Sequence, residues 1–455
     1  MLNPPARSFT AHIDRDEVVD DLAKLVACPS CSFDGYALEP VLDCAEEVAR
    51  MVRAAGFETV ELLDVGGRAP TVFAEHRADS ERYPDAPTLL LYAHYDVQPA
   101  PVAEQGWESD PFTLTRKDDG RYYGRGAADD KAGIVAHLHA IDAAGGLEAL
   151  SHVNLKICFE GEEECFGTLE DYIARDPERF IADAYLISDL GNLVVGEPTL
   201  TTTLRGTAMV DVTVDAIEAA QHSGVFGGPT PDALVGMIRL LDSLWDADGN
   251  TTIAGVSSFT WTGAAYPEDM FRRHAGLVEG ADLVGTGPLG DRLFARPSAT
   301  IIGLDAPSVA QSANSIIPRA TARISVRFPH GQSAEDVVEA IIAHLQAHQP
   351  PGFVVTFGFT SGASAFATTL DGPLAARFAA AQRAVFGAEV TEMGGAASIP
   401  LLAALQAEAP EAEFLLFGVS DIACSNVHGG NESVDLDELT RTIRAEALFL
   451  RGLAD

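Results

Sequence analysis

Leu89-Leu90-Leu91-Tyr92-Ala93-His94-Tyr95-Asp96-Val97 is an apolar run that stops on a histidine, with a carboxylate two residues later. Residues i and i+2 of a strand share a face, so His94 and Asp96 are expected to project together where a buried strand emerges. An imidazole whose far nitrogen is held by a carboxylate is the usual support of a metal-binding histidine. Taken alone the triplet is weak, because a strand end with two polar residues is its ordinary meaning. The rest of the chain supplies its weight.

Around this run the pattern alternates between strands and helices. Helices are predicted over Asp16–Ala27, with Asp14 or Asp16 as cap, and over Glu39–Ala55, stopped by Gly56. Short β-rich runs follow at Val60–Leu63, Thr71–Glu75 and Thr88–Tyr92. A helix begins near Asp130, then come strand Val153–Phe159, a helix from Thr168 and strand Ala184–Ser188. Continuous apolar strands between helices predict an α/β fold with a mostly parallel sheet sandwiched by helices. The texture changes near Thr201. Ala208–Val214 and Ala320–Phe328 alternate in polarity, with helices over Pro231–Trp245 and Ala334–Ala347 and a strand over Gly352–Phe359. That predicts an open-faced α+β domain. The α/β texture returns with helices Pro373–Phe386, Ile399–Ala407 and Asp435–Leu450 and strand Glu413–Phe417. Residues 1–200 and 365–455 are therefore expected to form one domain, with a second domain, 201–364, inserted into it.

The 455 residues are 47% hydrophobic and 21% charged, the composition of a globular chain with a sizeable core. No apolar run reaches the ~18 residues that a spanning helix needs. The first residues lack the basic-then-apolar pattern of a secretory signal. A formal charge of −37 argues against nucleic acid or an anionic membrane as partner. Six scattered cysteines point to a reducing cytoplasm. Cys28-Pro29-Ser30-Cys31 has C-x-x-C spacing, but no second pair or spaced histidine completes a metal cage, and a loop is its favoured reading.

Four clusters follow His94. Gly124-Arg125-Gly126-Ala127-Ala128-Asp129-Asp130-Lys131 opens a helix, and Asp130 reads as its N-cap. Phe159-Glu160-Gly161-Glu162-Glu163-Glu164 crowds carboxylates at a strand end, where something positive should offset them. Ser188-Asp189 ends another apolar run. Ser425-Asn426-Val427-His428-Gly429-Gly430-Asn431-Glu432 is a polar loop before the last helix. His94, Asp129, Glu163, Glu164, Asp189 and His428 are thus placed at strand ends or in βα loops, the edge where open α/β sheets build sites. Two imidazoles with three or four carboxylates suit a pair of divalent ions with one carboxylate bridging. One carboxylate must remain as general base.

In order and over almost the whole chain, these clusters resemble the dinuclear zinc metallopeptidases that include carnosinases and cytosolic dipeptidases, aminoacylases, desuccinylases and glutamate carboxypeptidases. His94–Ala100, Gly106-Trp107-Glu108-Ser109-Asp110-Pro111-Phe112 and Tyr123–Lys131 most resemble the dipeptidase branch. The resemblance implies that His94 and Asp189 bind one metal, that Glu164 and His428 bind the other, and that Asp129 bridges them. It implies that Asp96 orients His94 and that Glu163 is the general base. His222-Ser223-Gly224 resembles the family's H-S-G, whose histidine reaches across a homodimer to the tetrahedral oxyanion, and the resemblance thereby implies that 1–200 with 365–455 is the catalytic domain and 201–364 the lid and dimerisation domain. Arg327 resembles the arginine that takes the substrate carboxylate. Asn314 and Ser398 are further substrate candidates. Relatives commonly show G-G-S-I-P where this chain has Ala396-Ala397-Ser398-Ile399-Pro400, a departure that narrows the pocket beside Ser398.

The function expected is hydrolysis of dipeptides or very short peptides with a free carboxylate, by a water that two metal ions activate. Zn2+ is expected, with Co2+ or Mn2+ as substitutes. An N-acyl-amino-acid amidohydrolase is the alternative, with the same metals and a different acyl pocket. A non-catalytic binding protein that retains the fold is a third reading, and an intact Glu163 beside the other site residues argues against it.

Overall fold

Every residue from Leu89 to His94 is buried, so the strand Thr88–His94 has core on both faces. It lies between two parallel neighbours, Asn154–Glu160 and Ala184–Ile187, and His94 stands in register with Glu160. The computed structural model describes residues 12–165, 167–395 and 399–454. The chain divides into two compact units, Met1–Thr202 with Thr368–Met393 and Leu401–Asp455, and Thr203–Ala367 with Gly394–Pro400.

In the first unit the sheet passes, in spatial order, through Val60–Leu63, Thr71–His76, Asn154–Glu160, Thr88–His94, Ala184–Ile187, Glu413–Leu416 and the start of Thr199–Leu204. Its centre is parallel, as the continuous apolar runs require, and its flanking pairs are antiparallel. Helix Lys131–Ala143 packs on Thr88–His94 and against the final helix, Leu436–Gly452. The final helix starts where Asp435 accepts from the amides of Asp437 and Glu438, and it buries Leu439, Ile443, Ala447 and Leu450 on one face. Between these helices His137 Nε2 donates to the Tyr92 carbonyl at 3.1 Å, and Nδ1 lies 2.7 Å from Glu446. Lys131 is fully buried, and its Nζ donates to the carbonyls of Leu25 and Cys28 at the end of helix Arg15–Val26. A cation there adds a charged donor to carbonyls at the negative end of the helix. Cys28 and Cys31 are free thiols in the loop that follows.

In the second unit an antiparallel sheet orders Ser298–Asp305, Arg319–Phe328, Gly206–Asp215 and Val354–Ala363. Ala208, Val210, Val212 and Val214, with Ala322, Ile324, Val326 and Phe328, face a core closed by helices Ala233–Asp242 and Ala334–Ala347. Residues of the opposite parity form an open face. There Arg319 grips Asp215 and Arg323 grips Asp211, each through two hydrogen bonds. Among the described residues no helix is long and apolar enough to cross a membrane.

Candidate active site

His94 ends its strand, Glu163 and Glu164 follow Asn154–Glu160, and Asp189 follows Ala184–Ile187. The carboxyl ends of adjacent parallel strands therefore deliver them to one place. Asp129 arrives from the turn before helix Lys131–Ala143, and His428 from the turn before the last strand and helix. His428 has φ of 62°, a left-handed conformation that non-glycine residues seldom adopt.

Asp129 turns one carboxylate oxygen toward each imidazole. Its Oδ1 is 3.0 Å from His94 Nε2, and its Oδ2 is 3.1 Å from His428 Nε2. Asp189 Oδ1 lies 3.4 Å from His94 Nε2, and Glu164 Oε2 lies 3.2 Å from His428 Nε2. The arrangement has an inside and an outside: His94 is fully buried, whereas the His428 side chain is 57% exposed.

Asp96 stands behind the cluster. His94 Nδ1 is closer to the Asp96 carbonyl, 3.1 Å, than to its carboxylate, 3.5 Å. The carboxylate accepts from the amides of Glu163 and Glu164, at 3.1 Å each. Asp96 thus ties the end of the His94 strand to the turn that carries both glutamates. The remaining carboxylates of that acidic run have other partners. Glu160 accepts from Tyr92 Oη at 2.7 Å, and Glu162 accepts from the Arg68 amide at 2.9 Å.

The electrostatics follow from burial and crowding. Burial pushes the Glu163 carboxyl well up, and the charge of Asp189 adds to it. Burial raises Asp189 to about 6, against the pull of His94. Burial works against ionised Asp129, but hydrogen bonds from His428 and His94 hold it far below the usual carboxylate range. Hydrogen bonds to Asp129 and then Glu164 raise His428 to about 10. For His94 burial opposes the charge, yet Asp189 and Asp129 raise it well above an ordinary histidine.

Of the remaining predicted residues, His222, Asn314 and Arg327 belong to the second unit. Gln221–His222 pairs with Ser315–Ile316, with His222 opposite Ser315, and the Ser223 amide donates to the Asn314 carbonyl at 3.0 Å. His222 and Asn314 therefore lie side by side at one exposed two-stranded ladder, joined from segments some 90 residues apart. The His222 Nδ1 accepts from the Gly224 amide at 3.0 Å. Arg327 is half-buried on strand Arg319–Phe328, and burial lowers its pKa. Ser398, with Ala396 and Ala397, lies outside the described residues.

Sequence reasoning mistook Asp130 and passed over Gln98. Asp130 precedes the helix but makes no capping hydrogen bond. Its Oδ2 accepts from the His94 amide at 3.3 Å instead, and it joins His94 and Asp189 in a group able to hold a cation. Gly133 makes room for it, since a Cβ there would collide with Asp130 Oδ1. Gln98 Nε2 donates to Glu164 Oε2 at 2.8 Å. Its place in the stretch His94–Ala100 is the signal that the sequence carries for it.

The donor set fits divalent cations. His94, Asp129 and Glu164 can converge on one ion, and His94, Asp130 and Asp189 form a second such group. Glu164 Oε1 and Asp130 Oδ1 are buried without a hydrogen-bond partner, a cost that positive charge would offset. Mixed imidazole and carboxylate ligands suit divalent transition metals.

The chain is 38% identical over 455 aligned positions, 97% of each protein, to a cysteinylglycine-S-conjugate dipeptidase of Corynebacterium striatum. It is 27% identical, over 94% of each, to a Cys-Gly metallodipeptidase of Saccharomyces cerevisiae. Its fold superimposes on human carnosine dipeptidase 1 with a TM-score of 0.78, at 25% identity, over 97% of this chain and 96% of that one. The model of peptidase family M20/M25/M40 matches residues 90–452, a span that opens just before His94 and encloses the whole cluster. With that span, and with the Corynebacterium relative aligned nearly end to end, the chain belongs to peptidase family M20/M25/M40.

Proposed function

We propose that this peptidase is a metal-dependent dipeptidase acting on dipeptides or very short peptides with a free carboxylate. The observation that carries the reading is Asp129, with one carboxylate oxygen toward His94 and the other toward His428, while Glu163 stands beside the cluster. The relatives support a dipeptide substrate, one being a cysteinylglycine-S-conjugate dipeptidase and another a Cys-Gly metallodipeptidase.

In this reading His94, Asp129 and Asp189 hold one divalent ion, and His428, Asp129 and Glu164 hold the other. Bound there, a metal pair supplies Lewis-acid polarisation of the scissile carbonyl and lowers the pKa of water. Glu163 takes the proton of the attacking water on its carboxylate and delivers it to the leaving amine nitrogen. Asp96 fixes the Glu163 and Glu164 amides and, through its carbonyl, the His94 ring. Arg327 takes the free carboxylate of the substrate through its guanidinium fork, with Asn314 and Ser398 as further contacts. His222 donates to the developing oxyanion from the other copy of a homodimer built on residues 201–364, and its exposed position at the end of a short two-stranded ladder suits that task. Zn2+ is the proposed metal, with Co2+ or Mn2+ as substitutes, and the six free thiols fit a cytoplasmic setting.

The test is a panel of dipeptides and N-acyl amino acids on chelator-stripped protein, alone and with Zn2+, Co2+ or Mn2+. Dipeptide turnover that appears only with metal is expected. Turnover confined to N-acyl amino acids overturns the substrate, and turnover by stripped protein overturns the metal. Mixing His222→Ala with Glu163→Ala protein should restore activity if His222 works across a dimer. No restoration despite subunit exchange overturns that role.

A further inference from the structure

The turn that delivers Asp129 and the turn that delivers His428 are 299 residues apart in sequence, and a buried ion pair joins them. Glu432 and Arg125 have side chains 0% and 1% exposed and meet at 2.7 Å. Glu432 spends all its acceptor capacity on the Asp129 turn. Its Oε2 takes Arg125 Nη1 and the Gly126 amide at 3.0 Å, and its Oε1 takes the amides of Ala128 at 2.8 Å and Asp129 at 3.0 Å. Arg125 reaches the other way. Its Nη2 donates to the carbonyls of Gly429 at 3.0 Å and Pro99 at 3.3 Å and to Gln105 Oε1 at 3.2 Å. Gln105 in turn donates to the His428 carbonyl at 3.3 Å. The loops after His94, before Asp129 and around His428 therefore converge on one pair.

We propose that the Glu432–Arg125 pair is the positioning element of the metal centre, holding the Asp129 and His428 backbones in mutual register; this rests on the reading of both residues as metal ligands. Two physical points favour positioning over general stability. Burying two charges costs about as much as their attraction returns, so such a pair is poorly suited to stability alone. Four directed bonds into one turn fix its geometry far more tightly than apolar packing would, and Asp129 itself supplies one of the four amide or guanidinium donors. Residues that orient metal ligands typically change metal affinity by about 10–100-fold when replaced.

Glu432→Gln keeps the shape but offers one acceptor oxygen, so either Arg125 and Gly126 or Ala128 and Asp129 lose theirs. Arg125→Lys keeps the charge and loses the fork. Full-length wild type, both variants and His428→Ala are titrated with Co2+ against a chromophoric chelator, and the visible bands of bound Co2+ report ligand geometry. Both variants are expected to bind about 10–100-fold more weakly with shifted bands; Glu432→Gln, which leaves Arg125 buried without its counter-charge, also lowers the melting temperature of the metal-free protein, whereas Arg125→Lys, which keeps both charges, leaves it near the wild-type value. Wild-type affinity and spectrum in both variants, beside a defective His428→Ala, overturn the positioning role alone. Failure of both variants to fold also overturns it, since the pair would then hold the fold and not the centre. Wild-type binding by His428→Ala overturns the metal-centre reading, and this inference with it.

Discussion

The two units use the same charged side chains to opposite ends. In the first, Asp129 and Asp189 are 15% and 11% exposed and face imidazoles and other carboxylates. In the second, Asp211 and Asp215 lie on an open sheet face, each gripped by an arginine that is 44% or 67% exposed. Surface pairs of that kind are satisfied by their partner and by water, and contribute little. Crowded carboxylates beneath the surface have neither remedy, and their pKa values move apart: Asp129 far down, Asp189 up to about 6, Glu163 well up. Charge alone does not mark function in this molecule. Charge whose local balance is incomplete does.

The sharpest way to break this contrast is Glu163→Gln, which removes the proton carrier and leaves the proposed ligands in place. The kcat for a dipeptide is expected to fall by about 10²–10⁴-fold, with metal content unchanged by elemental analysis. Loss of metal alongside the fall would make Glu163 a ligand, and a smaller fall with metal retained would remove it as the base.

A buried carboxylate outside the ligand set gives the next largest effect. Burial, and then the charge of Glu170, pushes Glu160 up to about 8 from the ordinary 4.5. Below pH 4.5 both folded and unfolded chains carry the proton, and there is no penalty. As pH rises from 4.5 to 8 the unfolded chain ionises while the folded one holds its proton, so stability falls by ~1.4 kcal/mol per unit and levels off above 8. Glu160→Gln keeps an acceptor for Tyr92 and cannot ionise. Urea unfolding from pH 5 to 8 should show the variant gaining on wild type by a few kcal/mol in all. Parallel curves would mean that Glu160 is ionised in the folded protein.

How far the sequence reveals these things depends on what each residue's neighbours along the chain say. His94 is legible because a continuous apolar run stops on it, and Glu163 and Glu164 because four acidic residues at a strand end demand an explanation. The helices Ala334–Ala347 and Pro373–Phe386 are read to the residue, since their caps and periodicity agree. His428 lies in a left-handed turn with no periodic context; its polar loop marks it as a candidate, and only the family resemblance gives it the role of a ligand. Asp130 sends the same signal as an N-cap and is misread as one. Glu432 is one polar residue in a polar loop, and its four partners are some 300 residues away. Strand Ser298–Asp305 is an exposed edge without clean alternation, so its sequence shows no period to find.

The smallest expected effect tests the other half of the contrast. Arg323 donates to both oxygens of Asp211, at 2.6 and 2.8 Å, and lies over the Phe359 ring at 4.6 Å. A double-mutant cycle with Asp211→Asn and Arg323→Ala isolates the pair from the ring contact, because only the coupling term belongs to both residues. Arg323→Ala alone should cost more than Asp211→Asn, since it also gives up the cation–π contact. The coupling itself should be ~0.2–1 kcal/mol and shrink in high salt. A salt-insensitive coupling well above that range would mean the face is dry in solution. The second unit would then bury its charges as the first does, behind a second copy of the chain, and the difference between the two units would be one of partner and not of solvent.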